Sequence, residues 1–350
     1  MKKIILISIL PLLLVTGCKS EKKEYFTLWN ECDSLTLLKN YVKDVTNKDS
    51  KNYIPVEDRI ATFDMDGTFI GELYPTYFEY NLLEYRGLDD PTYVNKDDYV
   101  VETATDIRNF VRNGTPLPDY DSEYGFDIKH AVAAAKAYEG MTISEFDKYV
   151  KDYAKNTPYG FTGMTYATSF YKPMLEIFDY LRDNDFTYYV VSGSDRFICR
   201  SLVESLGIDK NRVIGMDVEL EATHQGDEDG VNYTYTNEDD LIRTDHLLIK
   251  NLKTNKVKQI AQEIGKIPVL SFGNSSGDSA MHNYCKTNNK YKTEVFMVVA
   301  DDFDRDYTTQ KIADRAIDWE KAHYNMFSMK NDFKTIYGEG VVKTSFPWQA

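Results

Sequence analysis

Residues 59–68 read RIATFDMDGT, and this stretch decides the fold class. After Arg59, its first half is apolar or β-branched, which is the composition of a short buried strand. Asp64 and Asp66 follow at once, and the Gly67-Thr68 pair behind them is typical of a tight turn. Two carboxylates at the end of a buried strand are unfavourable unless a cation or a reaction requires them. We therefore predict a strand that leads directly into a functional site.

Three other polar segments lie beside predicted strands. The strand over 186–191 leads into Ser192 and Gly193, whose hydroxyl and backbone N–H groups suit phosphate oxygens. Lys256 lies near the start of a predicted helix that precedes another strand. The segment GNSSGD at 273–278 then brings an amide and a carboxylate to the end of that strand. These segments are further candidates for the same site.

Strands and helices alternate around residue 60 and again from residue 173 onward. This alternation predicts an α/β fold with a doubly wound parallel sheet, covered by helices on both faces. In such a sheet the functional segments meet at the carboxyl ends of the strands. The intervening region is mostly helical, with predicted helices at 76–86, 99–113, 126–138 and 142–155. The predicted domains are a core made of 28–71 and 169–350 and a helical insertion over 72–168.

The N-terminal segment is typical of an export signal. Residues 1–17 read MKKIILISILPLLLVTG, with two lysines before an apolar stretch that is too short to span a bilayer comfortably. Cys18 follows, and the local pattern resembles the bacterial lipobox, in which the cysteine is lipidated and becomes the mature N-terminus. An ordinary secretory signal followed by a chance cysteine is the alternative. With residues 18–27 as a polar tether, we expect a membrane-anchored lipoprotein outside the cytoplasm, in the periplasm or at the cell surface.

The composition restricts the possible partners. The 41 Lys and Arg residues against 56 Asp and Glu residues give a net charge of −15. A chain this acidic repels phosphate backbones, so we expect no nucleic-acid partner. After the N-terminal segment no apolar run approaches 18 residues, so we expect no membrane contact beyond the lipid anchor. Four cysteines in 350 residues, with no CxxC pair, exclude a disulfide-dense scaffold and give no zinc motif.

In this order the motifs resemble those of the haloacid dehalogenase superfamily of phosphotransferases, whose first motif is DxDGT. The likeness extends over most of the chain, through stretches such as PVEDRIATFDMDGT and NKVKQIAQEIGKIPVLSFGNSSGD. These are similar to exported bacterial members near the phosphoserine phosphatase-like branch, which carry a helical C1-type cap between the first two motifs. The resemblance implies a Rossmann-like core and Mg²⁺-dependent hydrolysis of small phosphate monoesters. The substrate would be phosphoserine, a phosphocholine-like ester or a broad range of esters.

The resemblance also implies a role for each motif residue. Asp64 matches the nucleophile that forms an aspartyl-phosphate, and Asp66 matches the acid that protonates the leaving alcohol and later activates water. The residues that match the phosphate-binding positions are Ser192, Gly193 and Lys256. The residues that match the Mg²⁺ ligands are Asp64, Asp66 (through its backbone carbonyl), Asn274 and Asp278.

Some positions leave alternatives open. Many relatives have an aspartate where this chain has Asn274, and an amide oxygen ligates Mg²⁺ without contributing charge. Lys253 and Lys258 compete with Lys256 for the phosphate-binding role, although both are also consistent with a solvated helix face. Ser194 is predicted to be the N-cap of the next helix.

Three further hypotheses concern the substrate side of the site and the reaction. Glu72 would meet a cationic group of a substrate, or would form an ordinary surface salt bridge. A phosphomutase would share all four motifs with a phosphatase. A surface lipoprotein that kept the fold as a binding module is the remaining hypothesis, and Asn274 is its only support.

Overall fold

The computed structural model describes residues 23–72, 77–118 and 125–345. The predicted signal peptide, Cys18 and the first part of the predicted tether lie outside these residues. Within the described part of the chain, no helix combines the length and the apolar composition that crossing a bilayer requires.

One large sheet organises the described residues, with a small two-stranded sheet beside it. The strands are β1 (Ile60–Phe63), β2 (Phe161–Thr162), β3 (Thr187–Asp195), β4 (Val213–Ala222), β5 (Leu241–Ile249), β6 (Leu270–Gly273), β7 (Glu294–Val299), β8 (Asn325–Ser328) and β9 (Val342–Lys343). The large sheet has the order β5-β4-β3-β1-β6-β7-β8, and β2 pairs with β9. All its pairings are parallel except that of β4 with the edge strand β5. The predicted α/β class with a mostly parallel sheet is confirmed.

Helices cover the sheet and fill the long connection after β1. They are α1 (Asp33–Thr46), α2 (Phe78–Leu88), α3 (Asp98–Asn113), α4 (Gly125–Ala137), α5 (Ile143–Tyr153), α6 (Lys172–Arg182), α7 (Arg196–Val203), α8 (Thr254–Gln259), α9 (Ser279–Lys286), α10 (Gln310–Ala313), α11 (Arg315–Lys321) and α12 (Met329–Asp332). Four helices, α2 to α5, lie in the region that was predicted to be a helical insertion. Each begins and ends within two residues of its predicted bounds.

A row of phenylalanines holds four neighbouring strands in register. Phe63 on β1 stacks on Phe272 of β6 with 4.2 Å between ring centroids. Phe272 stacks on Phe296 of β7 at 5.2 Å, and Phe296 stacks on Phe327 of β8 at 5.1 Å. All four side chains are fully buried. Cross-strand aromatic pairs of this kind each add about 0.5 to 1.5 kcal/mol beyond the burial of their area.

The central position of β1 brings the predicted motifs together. Phe63, the last residue of β1, pairs with Val190 of β3 on one side and with Phe272 of β6 on the other. Because the three strands are parallel, their carboxyl ends reach the same edge of the sheet. The segments that follow these strands therefore lie next to one another.

Two local predictions are wrong. Residues 217–236 predict a hairpin, in which VELEAT and VNYTYT flank a GDEDG turn and the second strand covers 231–236. The second strand, β5, spans 241–249 instead. The side chains of Tyr233 and Thr236 donate hydrogen bonds to the buried carboxylate of Asp239, which holds this stretch in turns. The sequence also predicts one helix around 309–325, which the structure divides into α10 and α11 at Asp314.

Candidate active site

The aspartate pair lies in a tight turn directly after β1. The backbone N–H of Asp64 donates to the carbonyl oxygen of Phe272 at 2.9 Å, which extends the sheet by one residue and fixes Asp64 at its edge. Gly67 has a φ of +75°. A Cβ at this position would lie 1.9 Å from Asn274 Nδ2, so the close approach of the two motif loops requires glycine here.

Lys256 forms ion pairs with two buried carboxylates of the site, those of Asp64 and Asp278. Its ammonium group donates to Asp64 Oδ1 at 2.6 Å and to Asp278 Oδ1 at 2.7 Å, and all three side chains are buried. The two lysines that compete with it in sequence, Lys253 and Lys258, are exposed. Lys256 is therefore the lysine that the structure places against the candidate nucleophile.

The last motif loop wraps around Asp278. Its Oδ2 accepts the backbone N–H groups of Asn274 and Ser275 at 3.1 and 3.0 Å and the hydroxyl of Ser275 at 3.2 Å. Asn274 Nδ2 donates to Glu72 Oε1 at 2.8 Å. Glu72 therefore lies inside the site. It forms no salt bridge within the described part of the chain, so the structure does not bear out the alternative of a surface pair.

The segment after β3 differs from the prediction at Ser194. The strand continues through Asp195, and it is the carboxylate of Asp195 that accepts the first free N–H groups of α7, from Phe197 and Ile198. The prediction of Ser194 as the N-cap is therefore wrong. Ser194 Oγ instead donates to Asp66 Oδ2 at 2.7 Å.

The predicted phosphate-binding residues of this segment have different environments. Ser192 is completely buried, and its hydroxyl accepts the backbone N–H of Ser194 at 3.0 Å. Gly193 lines the cavity next to the site, together with Ser194. A Cβ on Gly193 would lie 2.6 Å from Leu252 Cδ2, so the glycine lets the loop before α8 approach the end of β3.

The carboxylates of the site titrate differently from one another. Burial and repulsion by Asp278 raise the pKa of Asp64 to about 6, although Lys256 opposes both. Burial and the nearby charge of Asp64 raise the pKa of Asp66 to about 8. Lys256 outweighs burial at Asp278, whose pKa is lowered. The pKa of Asp66 therefore lies above that of Asp64, so Asp66 holds its proton to higher pH.

A cavity of about 230 Å³ opens beside these residues. The helical region contributes Tyr77, Glu79 and Asp127 to its wall, and the loop before α8 contributes Lys250. Glu79 links the helical region to the core, because its carboxylate contacts Lys250 Nζ at 3.3 Å and accepts the backbone N–H of Asp195 at 3.1 Å. Sequence reasoning missed this link, since no motif or spacing connects α2 with these residues.

The candidate metal ligands supply only oxygen. Among the described residues, no group of three or more His, Cys, Asp or Glu side chains is arranged to hold a metal ion. The candidate set is instead two carboxylates, Asp64 and Asp278, with the amide oxygen of Asn274 and the backbone carbonyl of Asp66. Such a set has the chemistry that Mg²⁺ prefers. The repulsion between Asp64 and Asp278 is one that a small divalent cation would reduce, so the residues present fit Mg²⁺.

In comparisons with known proteins, this chain is similar to other proteins in structure but matches none in sequence. No family model matches the chain, and no curated protein matches it significantly. The chain is similar to a conserved protein of unknown function from Anaerococcus prevotii DSM 20548, with a TM-score of 0.51 at 15% identity over 90% of this chain and 99% of that one. It is also similar to a cytosolic 5′-nucleotidase IIIB bound to cytidine, with a TM-score of 0.50 at 10% identity over 87% of this chain and 88% of that one. At these identities the chain shares the fold of the two proteins.

Proposed function

We propose that this protein is a Mg²⁺-dependent phosphatase of the haloacid dehalogenase superfamily that hydrolyses small phosphate monoesters. One observation carries the proposal: Asp64 and Asp66 line the same cavity, and Lys256 donates to Asp64 Oδ1 at 2.6 Å while Ser194 donates to Asp66 Oδ2 at 2.7 Å. Phosphoryl transfer through an aspartyl-phosphate needs a nucleophile and a proton donor, and the higher pKa of Asp66 suits it to the second role. The motif order and the shared fold support the same family.

The first half of the reaction uses the two aspartates in turn. Asp64 attacks phosphorus, and the bond from phosphorus to the leaving oxygen breaks as the bond to the Asp64 carboxylate forms. Asp66 transfers its proton to the leaving oxygen, which departs as a neutral alcohol. Lys256 keeps Asp64 ionised and oriented through its 2.6 Å contact and reduces the negative charge that an incoming phosphate meets.

The second half returns the enzyme to its starting state. Asp66, now a carboxylate, takes a proton from a water molecule, which attacks phosphorus and releases phosphate and a free Asp64. Asp64, Asn274, Asp278 and the backbone carbonyl of Asp66 would hold Mg²⁺, which when bound supplies positive charge against the phosphoryl oxygens. Gly193 and Lys256 line the same cavity and are the candidate residues for contacts with the remaining phosphoryl oxygens.

The cavity supports a small leaving group. Its volume of about 230 Å³ suits a phosphoryl group with a short alcohol. Phosphoserine, phosphocholine-like esters and mixed small esters all belong to this class. The similarity to a nucleotidase adds nucleoside monophosphates to the substrates that a screen should include.

Hydrolysis of 4-nitrophenyl phosphate with Mg²⁺ tests the proposal. We expect turnover that EDTA abolishes and that Asp64→Asn removes, while Asp318→Asn, a matched change at an exposed residue, keeps it. Turnover that survives Asp64→Asn would refute the mechanism. Intramolecular transfer without release of phosphate would identify a phosphomutase, and the absence of turnover on every ester of a broad screen would favour a binding module.

The envelope location is a separate proposal that rests on the sequence of residues 1–18. If Cys18 is lipidated, the full-length protein incorporates radiolabelled palmitate and partitions with membranes. Cys18→Ala should lose the label and enter the soluble fraction of the envelope. Labelling that persists in Cys18→Ala would contradict the proposal.

A further inference from the structure

The side chain of Ser194 makes one hydrogen bond within the described residues. The residue lies near the end of β3 and is 5% exposed. Its backbone N–H donates to Ser192 Oγ, which fixes the backbone from which the side chain extends. Its hydroxyl donates to Asp66 Oδ2 at 2.7 Å. Since Asp195 caps α7, the Ser194 hydroxyl is not needed to begin that helix.

We infer that Ser194 is a positioning residue, which holds the Asp66 carboxyl in the orientation that delivers its proton to the leaving oxygen. The inference rests on the proposed phosphatase function and goes beyond it, because it gives Ser194, for which the resemblance implies no role, a part in the reaction. It also separates the role of Ser194 from that of Ser192, which the motif comparison places in phosphate binding.

The assignment follows from the geometry of the contact. Ser194 Oγ lies 2.7 Å from Asp66 Oδ2, which holds the carboxyl group in one orientation. The other oxygen, Oδ1, makes no hydrogen bond within the described residues, and Asp66 lines the cavity. Oδ1 is therefore the oxygen that is available to a substrate.

The same hydrogen bond acts after the proton has moved. When Asp66 Oδ1 gives its proton to the leaving oxygen, Asp66 becomes a carboxylate, and the bond from Ser194 becomes charge-assisted and stronger. Ser194 therefore stabilises the product of the proton transfer more than the starting state. Its contribution should appear only where the leaving group needs a proton.

Two esters of similar size separate this role from a structural one. Benzyl phosphate releases a basic alkoxide and needs the acid, whereas 4-nitrophenyl phosphate releases a stable phenolate and needs it little. The quantity to compare is kcat/KM, which covers the steps up to departure of the leaving group. We expect Ser194→Ala to lower kcat/KM for benzyl phosphate by at least about tenfold, as for loss of a hydrogen bond to a charged group, and for 4-nitrophenyl phosphate by less than about threefold.

Three more variants complete the test. Ser194→Thr keeps a hydroxyl and should restore most of the activity on benzyl phosphate. Ser194→Cys has a side chain of similar volume whose thiol is a weak hydrogen-bond donor. It should therefore lose activity on benzyl phosphate selectively, and it takes the place of Ser194→Ala if the alanine variant does not fold. Ser169→Ala removes another buried hydroxyl, whose bond is local to the carbonyl of Tyr166, and should change neither ester.

The outcomes distinguish this inference from the proposed function. If the wild-type protein hydrolyses neither ester, the proposed function fails and the role of Ser194 fails with it. If the wild type hydrolyses both and the Ser194 variants slow both equally, or neither, only the inference about Ser194 is overturned. A loss confined to benzyl phosphate supports it.

Discussion

Replacement of Asp66 by asparagine should stabilise the metal-free protein while it removes activity. Burial and the charge of Asp64 raise the pKa of Asp66 from 3.8 to about 8 in the folded chain. The folded state therefore binds this proton more tightly than the unfolded state. The stabilisation from the bound proton is complete below the unfolded pKa and is lost as the pH rises towards 8. Asparagine has the same shape and does not titrate.

The size of the effect follows from the pKa. Each tenfold change in proton affinity is worth about 1.4 kcal/mol. Over the interval from about pH 5 to about pH 8, wild type should thus lose on the order of 4 kcal/mol that Asp66→Asn keeps. The free energy of unfolding, measured by urea denaturation in EDTA at several pH values, gives the difference between the two proteins. Asp318→Asn, at an exposed position, should show no such pH-dependent gain. A difference between Asp66→Asn and wild type that stays constant with pH would refute the raised pKa.

Two further predictions concern the residues around this pair. Lys256→Met leaves two buried carboxylates without their cation, so unfolding at neutral pH should become easier by about 3 to 5 kcal/mol, as when one partner of a buried ion pair is removed. The loss of stability should be smaller at about pH 4, because the two unpaired carboxylates of the variant bind protons there. Calorimetry at both pH values measures the loss, and an equal loss at both would contradict this prediction. Gly67→Ala combines a φ of +75° with a clash against Asn274 and should lower stability by at least about 1 to 3 kcal/mol and impair catalysis. Gly226→Ala, with a φ of +59° and open space around it, should keep its activity, so equal losses of activity in both variants would show that the close approach is unimportant.

The part of the site that could be predicted depends on parallel strands. RIATF reads as a buried strand, and a parallel sheet places the ends of its strands at one edge, so the meeting of Asp64 with Asp278 follows from the order of the motifs. Lys256 is the lysine that matches the family motif in sequence. In the structure Lys256 is buried against both carboxylates, while the competing lysines are exposed.

The part that could not be predicted depends on where elements end and how they dock. A serine before a helix is typical of an N-cap, and only the extension of β3 to Asp195 turns Ser194 towards Asp66. The contact of Glu79 with Lys250 joins two segments that are 171 residues apart in the sequence. Polar contacts of this kind leave no periodicity in the sequence, because each depends on the packing of a helix against a distant loop.

The transfer of phosphate to Asp64 is the central claim, and chemical trapping tests it most directly. Borohydride reduces an aspartyl-phosphate to homoserine, and mass spectrometry of the digested protein locates the changed residue. Quenching during turnover with Mg²⁺ should give homoserine at position 64, with none in the absence of substrate. Hydrolysis that proceeds while Asp64 remains unmodified, or reduction at another carboxylate instead, would contradict the account.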